Sequence, residues 1–342
     1  MMELLTNYSL SLMQANFNIT KYSLHPSQNQ GNNLTYLAVY AIFLILGVVG
    51  NGCYILVIYQ SPELRSTNNI LLANLSLANL LIALVVIPFH IVVSFIPFSV
   101  LALILHQVLN FFLLILFGMS LLMMMAICID RCLTIVCLNN YVGQMFDRKL
   151  SLVLTLLWSF MLATAAVPLI YFIGTLEHLH QRQTTSVLHH NVSTDEIKIF
   201  QVVHQVYIMT LALLLFLTIS IILICYTIIF YIAIRINTSD SKHKALPKRL
   251  MSIFKSVGVT LIVIMMHLGC LIPLAVVMIV YSIQNSSLYY LVSLQYLNLI
   301  RLICFGIGVI NPIIYVLTNA ELRKKLNYLH QHYCNVPDIM LP

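Results

Sequence analysis

Residues 123–137 read MMMAICIDRCLTIVC. An apolar run ends in an adjacent acid and base, Asp130 and Arg131. Reading back toward the N-terminus, no Asp, Glu, Lys or Arg interrupts the chain as far as Leu101. A helix needs about 20 mostly apolar residues to cross the ~30 Å hydrocarbon core of a bilayer. The stretch therefore reads as a membrane span with a charged pair near one end. A charge at the centre of a span costs roughly 2.5–3.5 kcal/mol, so an ionisable pair at such depth marks a functional site by default. The bland alternative is an interfacial pair that helps to set topology.

The rest of the chain repeats the pattern. Of its 342 residues, 61% are hydrophobic and 8% are charged, far from the balance of a soluble domain. Seven stretches qualify as spans: Tyr36–Tyr59, Asn69–Phe95, Leu101–Val136, Leu150–Ile173, Gln201–Ile234, Met251–Tyr281 and Leu288–Thr318. Several are longer than a bilayer requires, which predicts tilt, kinks or protrusion. Lipid admits helices or closed barrels only, and continuous apolar runs of this length are not barrel strands. The expected fold is an all-α membrane protein, a seven-transmembrane helix bundle. The segment NAELRKKLNYL (319–329) then puts Leu322 and Leu326 on one face, which suits a short eighth helix on the membrane surface. The chain divides into an N-terminal segment (1–35), the seven-span body (36–318), and the amphipathic helix with its tail (319–342).

Basic residues orient the bundle. One side collects Arg65, Arg131, Arg148, Lys149, Arg235, Lys242, Lys244, Lys248, Arg249, Lys255, Arg323, Lys324 and Lys325, which is 13 of the 17 Lys and Arg. The other side has Lys21, Arg182 and Lys198, and Arg301 lies inside the seventh span. Positive loops face the cytoplasm, so the N-terminus is expected outside and the C-terminus inside. The sequons at Asn7, Asn18, Asn33, Asn191 and Asn285 all fall on the expected outer side and are candidate glycosylation sites. Topology thus accounts for the net charge of +7, and no nucleic-acid partner is implied. The first 35 residues hold no signal-peptide core, so the first span is expected to act as the signal anchor.

The acidic residues avoid the middle of every span, which argues against a proton pump or ion-coupled transporter. No inverted repeat or broken-helix pair supports one either. The seventh span has no Lys for a retinal Schiff base. No nucleophile elbow, HExxH or pair of intramembrane aspartates occurs. No enzymatic centre, cofactor or metal site is expected.

The polar residues that the spans do hold are distributed along the bundle. They are Gly50 and Asn51 in the first span, NLSLAN (74–79) in the second, and Ser120 with Asp130 and Arg131 in the third. Trp158 is in the fourth, Tyr226 in the fifth, CLIP (270–273) in the sixth and NPIIY (311–315) in the seventh. In this order and spacing the chain resembles the class A, rhodopsin-like G-protein-coupled receptors over roughly residues 36–332. Ile135 and Tyr141 keep the family's offsets after the Asp-Arg pair, while Cys132 stands for the usual Tyr and Leu138 for the usual Pro. The resemblance implies a bistable bundle whose populations an outside ligand shifts. It implies that Asp130 holds Arg131 at rest, and that Arg131 meets the C-terminal helix of the G protein once span six swings out. It casts Asp130, Arg131, Tyr141, Tyr226, Pro273, Asn311, Pro312 and Tyr315 as coupling and switch residues, and Asn51, Asn79 and Ser120 as the polar core.

Departures from the family pattern carry expectations of their own. His106 replaces the Cys that staples span three to the second outer loop, and that loop (174–200) has no Cys. The eight cysteines lie in spans or on the inner side, so no extracellular disulfide is expected. Receptors for lysophospholipids, cannabinoids and melanocortins are similar in lacking the staple, and also the span-five Pro, here Thr218. Asn79 replaces the Asp that, with Ser and Asn, binds sodium in the family. A hard cation prefers charged oxygens, so sodium is expected to have little effect. Ile253 stands where some members place an acid opposite the Arg, whereas Tyr226 and Tyr315, joined through water in the family's active state, are kept. A gap narrowed by ~1.4 kcal/mol is a tenfold change in population, so basal signalling is expected. Leu271 and His267 replace the span-six Trp and Phe. His267 reads as a neutral, hydrogen-bonded interface residue, with a pH response as the alternative.

Leu113 stands where amine receptors carry the ammonium-pairing Asp, so a biogenic amine is not expected. Arg301 lies ten residues before Asn311, about 15 Å up the helix. Its guanidinium suits a carboxylate or phosphate. The candidate ligand-binding residues are Arg301, Asn110, His90, His204, Leu113 and Leu271. Alternatively, Arg301 snorkels to the interface or pairs with Glu177 or Glu196. The loop histidines His178, His180, His189 and His190 read as a solvated segment rather than a zinc or proton sensor. Cys334 is a palmitoylation candidate, and the basic inner loop faces the G protein or anionic lipid head groups. The ligand stays open between an anionic lipid-like or carboxylate molecule and a chemosensory odorant or pheromone. The expected setting is the plasma membrane, and the expected partners are a heterotrimeric G protein, lipids and an extracellular ligand. Dimerisation stays open, and the alternative function is a non-signalling decoy or dimer partner of another receptor.

Overall fold

The computed structural model describes residues 30–96, 99–136, 141–183, 194–239, 257–269, 272, 273, 276 and 287–334. Every regular element among them is helical. Helix α1 spans Gln30–Gln60, α2 Thr67–Ser94, α3 Val100–Val136 and α4 Tyr141–Gln183. Helix α5 spans Thr194–Ser239, α6 Val257–Gly269, α7 Ser287–Thr318 and α8 Ala320–Cys334. Helices α1 to α5 are each long and apolar enough to cross a bilayer, the described part of α6 is a shorter apolar helix, and α7 joins α8 through a bend of 98°. The fold is the expected all-α seven-helix bundle. Helices α4 and α5 outrun their predicted spans because backbone hydrogen bonding continues where the apolar pattern stops.

The sequons at Asn7, Asn18, Asn191 and Asn285 lie outside the described residues, as do Leu138, Ile253, Leu271, His189 and His190. For Asn33, Tyr141, Arg301 and Cys334 the description is confined to their helical backbone positions in α1, α4, α7 and α8.

Helix α3 is the axis of the bundle. Its most apolar stretch is 78% buried, against 22% for that of α4. Met119, Leu121, Met123, Met124, Ile127 and Ile135 are sealed inside, and α3 packs on α2, α4 and α5. The flexible Met side chains fill gaps between the converging helices. Ile45, Val49, Leu152, Val167, Phe216 and Phe230 point outward, an apolar surface whose solvent is lipid. Association in lipid relies on close packing rather than on escape from water, which favours small residues at contacts. Gly50 shows this: a Cβ there would stand 2.8 Å from Cγ of Pro312, so the missing side chain lets α1 and α7 meet.

Local features position the polar residues. In α2, Ile82–Val86 forms a π turn just before Pro88, whose ring and missing N–H disturb the preceding helical bonds. The residues beyond it include buried His90. At the other end of the bundle, Asn319 makes the corner between α7 and α8. Its Oδ1 accepts from the N–H groups of Glu321 at 3.1 Å and Leu322 at 3.2 Å, a helix N-cap. Nη1 of Arg323 donates to Val316 O at 3.0 Å, one of the last-turn carbonyls of α7 that lack an intrahelical partner. Leu322 is buried and Leu326 packs on the core. Lys325 pairs with Glu63 at 2.7 Å, which ties α8 to the turn after α1.

Candidate functional site

The polar side chains of the bundle fall into three layers. At the C-terminal end of α3, Arg131 Nη2 meets Asp130 Oδ2 at 2.9 Å, with the two side chains 13% and 12% exposed. A charge-assisted bond in that enclosure is strong, and opening it exposes both ions. Across the interface, Tyr226 OH on α5 donates to Val257 O on α6 at 3.3 Å. Tyr315 on α7 is buried with its ring 5.0 Å from that of Tyr54 on α1. Its hydroxyl has no hydrogen-bond partner among the described residues. The two tyrosines are thus engaged with different helices, Tyr226 with α6 and Tyr315 with α1. Cys132, in the place of the family's Tyr, hydrogen-bonds with Cys225 on α5.

The middle layer joins α1, α2, α3, α6 and α7. Asn51 Nδ2 donates to Gly47 O at 2.9 Å and to Gly308 O at 3.0 Å, which bridges α1 to α7. Asn311 Nδ2 lies 3.2 Å from His267 Nε2, and His267 Nδ1 lies 2.9 Å from Val263 O. Asn79, Ser120 and His267 line one cavity with Phe117, Cys304, Ile307 and Gly308. Its volume is about 10 Å³, the room of a single water. The resemblance implies a sodium ion at Asn79, Ser120 and Asn311, but the uncharged groups present suit one poorly. None is a carboxylate. Ser120 directs its hydroxyl proton to Leu116 O at 3.0 Å. The group of Asn79 left without a partner among the described residues is its Nδ2, a donor. Asn311 Oδ1 lies buried without a partner among the described residues, but it is a neutral carbonyl, and the carboxylate that anchors a hard cation is missing.

The third layer, near the N-terminal parts of α3 and α5, is a ladder between these two helices. Gln107 Nε2 donates to Phe200 O at 3.1 Å, Asn110 Nδ2 to Gln107 Oε1 at 3.2 Å, and Asn110 Nδ2 lies 3.0 Å from His204 Nδ1. The ring of Phe200 stacks on His204 and meets His106 edge-on. Asn110 and His204 are brought together here and bond to each other. His90 sits in a separate cluster with Tyr40 and Phe305. Leu113 packs partly buried against the core, and Pro273 is exposed. Sequence reading passed over Gln107, although its spacing of three from Asn110 on an apolar helix is the signal of a shared face. It also passed over Tyr54 and the link between Glu63 and Lys325, which join positions far apart in the chain.

A bundle with a charged pair on its buried central helix and a polar core across its middle defines a seven-helix membrane receptor. Residues 50–315 match the family described as 7 transmembrane receptor (rhodopsin family), and the chain belongs to it. It is 26% identical to the neuropeptide Y receptor type 6 of Mus musculus over 316 residues, covering 89% of this chain and 82% of that receptor. It is 27% identical to melanopsin of Rutilus rutilus over 306 residues, 84% of this chain and 57% of that protein. It is 29% identical to the galanin receptor type 1 of Homo sapiens over 154 residues, 44% of each chain. The protein is accordingly a multi-pass membrane receptor of the G-protein-coupled class, not an enzyme.

Proposed function

We propose that this chain is a plasma-membrane receptor that converts ligand binding outside into nucleotide exchange on a heterotrimeric G protein inside. The observation that carries the reading is the Asp130–Arg131 pair, 2.9 Å apart and nearly enclosed at the inner end of the central helix. Tyr226 bonded to the first turn of α6 supports reading this geometry as the resting state. In that state α6 covers the ground that a G-protein helix takes once the pair opens. Tyr141, Pro273, Asn311, Pro312 and Tyr315 belong to the same switch. Absence of an acid at Ile253 removes one restraint on α6 and supports basal activity.

The ligand is not an amine. Arg301, two turns and more toward the outer side from Asn311 on α7, is the proposed contact for an anionic group, with Leu113 and Leu271 as further candidate contacts. The names of two relatives, neuropeptide Y and galanin receptors, add peptides to the carboxylate and lipid-like classes for screening. The second reading, a non-signalling partner of another receptor, is favoured by the changed positions His267, Leu271 and Asn79. One experiment separates the two. G-protein dissociation is followed by energy transfer in cells lacking such receptors, without ligand, against Arg131→Ala at matched surface level. A basal signal several-fold above the Arg131→Ala level is the expected result. Equality between the two, persisting through a ligand screen, would favour the non-signalling reading.

A further inference from the structure

We infer that His267 is a positioning residue that latches α6 to α7 in the resting bundle, with a neutral imidazole in place of the family's sodium ion. The inference rests on the receptor reading above and names a regulatory contact within that switch. Two neighbours fix the state of the ring. Val263 O can only accept, so the Nδ1 atom 2.9 Å away carries a proton. With the Asn311 amide turned as it is here, its nitrogen stands 3.2 Å from Nε2 and can only donate, so Nε2 is bare and accepts. Both demands are met by one species, the neutral tautomer protonated on Nδ1. An imidazolium in this geometry would turn two donors against each other. His267 is 5% exposed and Asn311 fully buried, so no bulk water competes for the bond.

Placement gives the bond its consequence. His267 is on α6, the helix whose outward swing opens the switch, and Asn311 heads the NPIIY segment of α7. The same ring lines the small cavity with Asn79 and Ser120, the site whose uncharged groups suit a cation poorly. The Phe usual at this position has no acceptor for the Asn. In this chain a direct side-chain bond therefore joins the two helices, and it must break when α6 moves away from α7. A neutral buried bond of this kind shifts a two-state balance roughly two- to tenfold. The latch opposes the missing restraint at Ile253, so basal output reflects both.

The test compares wild type, His267→Phe, His267→Gln and Arg131→Ala at matched surface level by ligand-free G-protein dissociation. It is run in sodium and again with sodium replaced by N-methylglucamine. Nitrogen-15 spectra of the purified receptor, labelled at histidine, are recorded alongside. His267→Phe is expected to raise basal output roughly two- to tenfold. His267→Gln, whose amide oxygen can accept from Asn311, is expected to stay near wild type, and the exchange of sodium to change none of them. The spectra are expected to show an imidazole protonated on Nδ1 alone that disappears in His267→Gln. A His267→Phe output at or below wild type, with Arg131→Ala still lower, overturns the latch and leaves the receptor reading standing. Silence in wild type and all three variants counts against the receptor reading instead. The spectra then decide the latch on their own, because a ring protonated on Nε2 overturns it.

Discussion

A β-carbon on Gly50 would stand 2.8 Å from Cγ of Pro312, whereas one on Gly52 would meet nothing within 4 Å. The two glycines are two residues apart on one helix, so they separate propensity from packing. Ala gains up to about 1 kcal/mol over Gly in a helix interior. Forcing an atom into a packed contact costs typically about 1–3 kcal/mol, and a proline ring cannot swing aside as a long side chain would. Gly50→Ala is therefore expected to lower the thermal midpoint of the solubilised receptor, and Gly52→Ala to leave it level or raise it. The loss at Gly50 should spread to the bond from Asn51 to Gly308 O, because α1 and α7 must part to admit the methyl. Equal shifts for the two variants, measured by thiol-reactive dye or light scattering, would show that the close approach of α1 to Pro312 carries no energy. The same scale explains what the sequence conceals. Asn51, Asn79 and Asn311 can be singled out by type and spacing. That Asn311 bonds to a histidine follows only once α6 and α7 are side by side.

Among elements, α8 shows how a short amphipathic segment is held. The spacing of Leu322 and Leu326 is legible in the sequence because it depends on helical period alone. The corner is legible in part, since Asn319 is a good N-cap by type. The tether to Glu63 is not, because it spans 262 positions in the chain and no local pattern reports it. Its pH dependence has a definite sign. The Lys325 hydrogen bond is the main cause that holds the Glu63 carboxyl below its ordinary value of 4.5, with Glu63's own backbone bond and the Lys325 and Arg65 charges adding to it. A carboxyl lowered in the folded state contributes above its unfolded pKa and loses that contribution as pH falls through the lowered folded value. The link is thus complete at neutral pH and is lost as pH falls through that lowered value. The pair is exposed and salt-screened, so its effect is on where α8 lies rather than on global stability. Carbon-13 titration of Glu63 in nanodiscs is expected to give a midpoint under 4.5 in wild type and a rise toward it in Lys325→Ala. An unchanged midpoint would show that the pair does not form.

At the scale of the whole molecule, hydropathy exposes the bundle and hides its interior. Seven runs of apolar residues announce seven helices because lipid permits little else. The identity of α3 as the axis follows less directly, from a run in which Met119, Leu121, Met123 and Met124 are all sealed and no polar face survives. Orientation is a whole-chain property too, and it carries the remaining prediction. Thirteen of 17 basic residues gather on one side, and moving that set across a membrane would oppose the positive-inside bias in every inner loop at once. The N-terminal segment should then lie outside and meet the glycosylation machinery at Asn7 and Asn18. Asn33 is a poorer acceptor, since α1 already begins at Gln30 and the site stands within a turn of the predicted span start at Tyr36. The receptor expressed in mammalian cells is expected to migrate as a broad band that sharpens and drops on treatment with an N-glycosidase. The Asn7→Gln, Asn18→Gln double variant should lose the N-terminal share of that shift, leaving any contribution of Asn191 and Asn285, while Asn33→Gln alone should lose little. Protease added to intact cells should remove an N-terminal epitope tag and spare a C-terminal one. The reverse pattern, with the C-terminal tag cleaved and no glycan present, would place Arg131 and the basic loops on the wrong side of the membrane for a G protein.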